Sequence, residues 1–135
     1  MKTIIYIDGQ NFLYKTADIL IEASLLTDKS DLTKIDIRSI FNTIFNEDLE
    51  IKFYGAKVKV RKDKGDDILE KSRRFSDTSR RIRNTLNAQN IEFVESGKLK
   101  LRDSDMCKNC HAQDLRFQEK GVDVGIAVDM IVDRY

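Results

Sequence analysis

An α/β fold with a mostly parallel central sheet is what this sequence of 135 residues predicts, on two observations. First, the short run Ile4 to Ile7 is continuously apolar and stops abruptly at Asp8-Gly9. Unbroken apolarity over so few residues suits a strand buried on both faces, as in a parallel sheet covered by helices. Second, strand-like segments alternate with segments of helical periodicity along the whole chain, the pattern of an α/β architecture.

The elements follow in order. Within Asn11 to Leu26, Phe12, Leu13, Ala17, Leu20, Ile21 and Leu25 recur at helical spacing, and the polar stretch from Thr27 to Thr33 reads as a loop. A second helix begins after Asp36, with Ile37, Ile40, Phe41, Ile44 and Phe45 forming an apolar stripe at three- and four-residue steps. Leu49 to Lys59 alternates in part and reads as a second strand, and Arg61 to Gly65 as a charged turn. From Asp67 a third helix presents Phe75, Ser79, Ile82 and Leu86 on one side and arginines largely on the other. Ile91 to Leu101 marks a third strand or hairpin interrupted at Ser96-Gly97. The segment Arg102 to Gln118 is polar and contains both cysteines and the only histidine, and the last helix runs from Val124 to Arg134 with Val124, Val128 and Ile131 as its expected core stripe. Without proline, the turns fall to Gly, Asn and Asp.

Length and the lack of a linker or repeat give one domain, residues 1–135. With 35% charged and 41% hydrophobic residues, neither a membrane span nor general disorder is expected, and no apolar run reaches the ~18 residues that a span requires. No signal-peptide pattern opens the chain, so the expected location is cytoplasmic, with no membrane partner and with Cys107 and Cys110 reduced. The net charge of +1 conceals an asymmetry: residues 57–83 hold eleven basic and five acidic residues, while the rest holds 13 basic and 18 acidic. A basic segment on an acidic body fits contact with a phosphate backbone through Lys57, Lys59, Arg61, Lys62, Lys64, Arg73, Arg74, Arg80 and Arg81. A solvated helix face laced with ion pairs is the competing reading.

In open α/β sheets the ligand crevice lies outside the carboxyl ends of the strands. Asp8 sits at such an end, Gly9 offers a permissive turn, and Asn11 lies within reach of the same crevice. Asp8 there either binds a metal or polar ligand or simply caps the following helix. Asp123 opens the last helix, where a carboxylate also favours the helix dipole. Asp129, six residues on, does not share its helix face.

Ile5-Tyr6-Ile7-Asp8-Gly9-Gln10-Asn11, taken with Glu119-Lys120-Gly121-Val122-Asp123-Val124 and Ala127-Val128-Asp129-Met130, resembles the two leading motifs of the NYN domain. This is the PIN-like nuclease family that includes the LabA-like bacterial proteins, and the order and separation of the motifs match across nearly the whole chain. The resemblance implies a three-layer, Rossmann-like (PIN-like) fold and a metal-dependent ribonuclease. Asp8 and Asp123 fall on acidic positions that hold Mg²⁺ or Mn²⁺, Asn11 on the amide position of the first motif, and Asp129 on a further acidic position. The family's next strand and its Ser/Asp-rich motif have no counterpart before Tyr135, so the resemblance also implies a C-terminally incomplete domain, completed by a further chain segment or in a homo-oligomer. A non-catalytic RNA-binding or regulatory module of the same fold is the alternative function. Cys107-Lys108-Asn109-Cys110-His111 formally fits a haem-attachment pattern without the expected context. Zinc held by Cys107 and Cys110 would need ligands from elsewhere, and a reduced, partly exposed loop pair is the preferred reading. G-x-G-x-x-G does not occur, which disfavours a nucleotide-binding protein.

Overall fold

The computed structural model describes residues 2–28, 32, 34–103, 107–111 and 115–134. Four strands and four helices follow the order β1 (Thr3–Asp8), α1 (Gly9–Glu22), α2 (Ile37–Ile44), β2 (Leu49–Lys57), α3 (Asp66–Ala88), β3 (Glu92–Asp103), β4 (Leu115–Lys120) and α4 (Val122–Arg134). The chain is α/β, with one sheet in the order β1-β2-β3-β4. β1 pairs with β2 and β2 with β3 in parallel, but β3 pairs with β4 antiparallel. The sheet is therefore mixed rather than mostly parallel. The difference lies in β4, most of which falls in the polar segment Arg102 to Gln118, where the sequence predicts no strand. Leu-Arg-Phe-Gln-Glu-Lys carries only two apolar residues, too few to register a period of two.

Local signals explain the helix starts. Asp8 caps α1 and Asp36 caps α2, each accepting a backbone N–H three residues on. Asp66 and Asp67 occupy the first turn of α3, where the helix dipole favours negative charge. Gly9 has ordinary helical geometry rather than a special turn conformation. It is needed because a Cβ there would strike the Phe53 ring and the Tyr54 carbonyl.

The register sorts the side chains of β1 and β2 onto two unlike faces. Ile5 and Ile7 lie beside Ile51 and Phe53. With Ile37, Leu86 and Ile91, and with Phe12, Leu13, Phe41 and Ile82 at the margin, they form the main core under α1, α2 and α3. Burying side chains such as Ile51 and Phe53 stabilises the fold by about 2 kcal/mol each. On the other face, Tyr6, Lys52 and Tyr54 lie under α4, whose own contribution to the smaller core is Val122 with Ile126.

α4 lies the other way round from its expected orientation. Val124, Val128 and Ile131 are 66%, 50% and 63% exposed rather than buried. The helix instead turns its acids to the sheet. Asp129 accepts from the Tyr54 hydroxyl at 2.7 Å, and Asp133 accepts from the Tyr6 hydroxyl at 2.7 Å and from Lys52 Nζ at 2.6 Å. The physical reason is that phenol and ammonium groups on this sheet face demand partners when covered, and an apolar stripe offers none. Burial and the Asp133 bond push the Tyr6 phenol up to about 12, and the Lys52 and Tyr6 bonds hold Asp133 below the usual carboxylate range. No described helix is long and apolar enough to cross a membrane.

β3 bends where its partner changes. The β2–β3 register shifts between Gly55 and Lys57, and Gly97 has φ of +72°. A Cβ on Gly97 would strike the Lys120 carbonyl, so the strand can cross from β2 to β4 only with glycine there. Gly97→Ala should destabilise the fold by about 2 kcal/mol or more, read as a lower midpoint in urea with an unchanged slope.

Candidate active site and basic surface

β1 ends at Asp8 opposite Tyr54, while β2 runs on to Lys57. The Asp8 carboxylate accepts from Asn11 N at 3.3 Å and from Asn11 Nδ2 at 2.8 Å. Asp8 is thus a helix cap, and the Asn11 amide orients both of its oxygens. Asp123 stands in the first turn of α4 and is exposed.

A third carboxylate, absent from the candidates that the sequence suggests, joins them. Glu119, near the end of β4, lines a cleft of about 250 Å³ with Gly9, Gln10, Ala56, Leu99 and Phe75. Burial raises its carboxyl above the usual range, the Asp8 and Asp123 charges add to the rise, and the Ala56 N–H opposes it. A carboxyl kept partly desolvated and near other carboxylates holds its proton more readily than an exposed one. Its signal in the sequence is its place at the head of the second motif, but this becomes readable only once β4 alternates Phe117 and Glu119 inward.

Asp129 is not part of this group; its carboxylate is engaged by Tyr54 on the underside of α4. The donors at the strand ends are all hard oxygens, the chemistry that suits Mg²⁺ or Mn²⁺. Among the described residues no three His, Cys, Asp or Glu side chains converge to enclose an ion. Mg²⁺ is commonly held by only one or two carboxylates together with water and substrate phosphate, so Asp8, Glu119 and Asp123 fit it by chemistry. Cys107 and Cys110 are free and exposed on one turn, closed by the His111 N–H donating to the Cys107 carbonyl at 2.9 Å. The Cys110 and Asn109 backbone N–H groups lower the Cys107 thiol.

The basic residues divide into committed and free groups. On α3, Arg74 pairs with Glu70 and Arg80 with Asp77, both at 3.0 Å, and Arg83 pairs with Glu95 while lying over the Phe93 ring. Arg61 is held bidentately by Asp63, whose carboxyl it brings down to about 2. Arg73 and Arg81 have no ion pair among the described residues, nor do Lys57, Lys59, Lys62 and Lys64. The segment after β2 is pinned by the fully buried Ser72, which accepts from Arg61 N at 2.9 Å and donates to the Leu69 carbonyl at 3.0 Å.

Because the folded pKa of Glu119 lies above its ordinary value of 4.5, ionising it costs stability as pH rises through and past that value. Glu119→Gln should therefore melt at a higher temperature than wild type at pH 7, and the difference should shrink below about pH 4.5. Melting curves of both proteins across pH check this.

Comparison with protein families, with characterised proteins and with solved structures finds no match for the chain.

Proposed function

We propose that this chain is a metal-dependent ribonuclease domain whose reaction centre is the crevice at the ends of β1 and β2. The observation that carries the reading is that Glu119, partly buried in the cleft on β4, lies within electrostatic reach of Asp8 and Asp123, which come from two other elements. The likeness of the Asp8 and Asp123 segments to the two leading NYN motifs, with the three-layer PIN-like fold it implies, supports the same reading.

In this reading Asp8 and Asp123 offer oxygens to Mg²⁺ or Mn²⁺, which when bound activates water and stabilises charge on the phosphate. Asn11 fixes the Asp8 carboxylate through its amide. Glu119, lifted by burial and by its neighbours, accepts a proton from the attacking water or returns one to the leaving oxygen. The neighbouring lysines hold the RNA backbone.

A second reading, a non-catalytic RNA-binding module, is favoured by one observation: among the described residues the carboxylates do not enclose an ion site. Labelled single-stranded RNA incubated with Mn²⁺ or Mg²⁺ separates the two. Wild type should cut, and Asp8→Asn and Asp123→Asn should each cut at least ~100-fold more slowly while still binding RNA, as removal of a metal-bound transition-state interaction does. Binding without cutting by wild type would establish the second reading instead.

A further inference from the structure

We infer that the outward face of the β3–β4 hairpin is an RNA-binding surface in its own right, gripping the phosphate backbone beside the carboxylate crevice. The choice of RNA rests on the reading above; the existence of a polyanion surface does not.

Register and burial define the face. Lys98 stands opposite Lys120, Lys100 opposite Gln118, and Arg102 opposite Arg116. Exposure alternates along both strands, so these six side chains are exposed together, while Leu99, Leu101, Leu115, Phe117 and Glu119 turn inward. The inward face is anchored by Phe117, which meets Phe75 of α3 edge-on with ring centres 5.2 Å apart. The outward face therefore carries five cations, one amide and no acid. The chain leaving β2 extends it, since Lys57 and Lys59 line one groove with Lys98 and Lys100.

Two features distinguish this face from an ordinary solvated surface. None of its five cations has an ion pair among the described residues, whereas three of the α3 arginines are neutralised by neighbouring acids. In addition, like charges stand directly opposite one another at Lys98–Lys120 and Arg102–Arg116, an arrangement that destabilises an antiparallel pair. A bound polyanion removes that repulsion.

The chemistry of the face selects the polyanion. None of the six outward side chains is apolar, so the face itself offers nothing to enter a bilayer, as surface-seated membrane segments require. No aromatic ring is presented for bases to stack on. What remains is a set of point charges about 6.6–6.8 Å apart along each strand and about 4.8 Å apart between strands, suited to successive phosphates and indifferent to sequence. The hairpin also leads to the crevice: Lys120 follows Glu119 directly and precedes Asp123 by three residues.

The test is fluorescence anisotropy of a labelled single-stranded RNA of about 20 nucleotides and mixed sequence, in EDTA, across a salt series. It compares wild type, Asp8→Asn, the hairpin variant Lys100→Gln/Arg102→Gln/Arg116→Gln, and the equally discharged α3 variant Arg73→Gln/Arg74→Gln/Arg80→Gln. The hairpin variant should bind at least ~tenfold more weakly, and its log–log salt slope should fall by about 2, near 0.7 for each phosphate that is no longer neutralised. The α3 variant should stay within about threefold of wild type, because two of its three charges, Arg74 and Arg80, are already matched by Glu70 and Asp77. Asp8→Asn should bind as wild type does, so a failure of the ribonuclease reading leaves this result unaffected. In a second measurement on wild type, RNA should protect Lys98, Lys100 and Lys120 from acetylation more than Lys15, read by mass spectrometry. Equal loss in the two triple variants, wild-type binding by the hairpin variant, or no selective protection would overturn the inference. So would a hairpin variant that keeps RNA but loses phosphatidylserine vesicles, which would assign the face to a membrane.

Discussion

The structure turns on the two unlike faces of β2. Ile51 and Phe53 point one way into the main core, and Lys52 and Tyr54 point the other way. The first face can be covered by ordinary amphipathic helices, and α1, α2 and α3 do so. The second carries an ammonium group and phenols, so its cover must bring acceptors, and α4 brings Asp129 and Asp133. Hydrophobic burial fixes one side of the sheet and hydrogen-bonded polar pairing the other.

That division positions the crevice. Asp8 belongs to β1 and is steadied by α1 through Asn11, Glu119 belongs to β4, and Asp123 is carried by α4. Glu119 comes within electrostatic reach of Asp8 and Asp123 because β3 changes partner from β2 to β4 at Gly97 and so sets the register of β4. The same crossing exposes the alternate residues of the hairpin, so the acidic crevice and the basic face are opposite sides of one strand pair.

Much of this is legible in the residues. The apolar run ending at Asp8, the caps at Asp8 and Asp36 and the stripe on α3 depend on local chemistry that neighbours in sequence specify. The mixed sheet is not, because Leu115 and Phe117 alone cannot announce a strand. The orientation of α4 reads the wrong way round because Val124, Val128 and Ile131 do form a stripe, and only the phenols across the sheet make the acidic side the buried one. Glu119 does not stand out in sequence because its environment is made by Ala56, Asp8 and Asp123, of which only Asp123 is a sequence neighbour. On the arginine-rich stretch of α3, charge counting cannot see that Arg74, Arg80 and Arg83 are paired with Glu70, Asp77 and Glu95 while Arg73 and Arg81 have no ion pair among the described residues.

The way α4 is fastened gives the molecule an uneven resistance to opening. A helix held by buried leucines loosens with heat or denaturant; one held at its far end by Asp133 on Lys52 and Tyr6 also loosens with acid and salt. Protonation of Asp133 removes the acceptor for Lys52 and Tyr6 and so weakens the hold on α4. Its first turn carries Asp123 about 15 Å along the same rod, so detachment at one end withdraws a carboxylate from the crevice at the other.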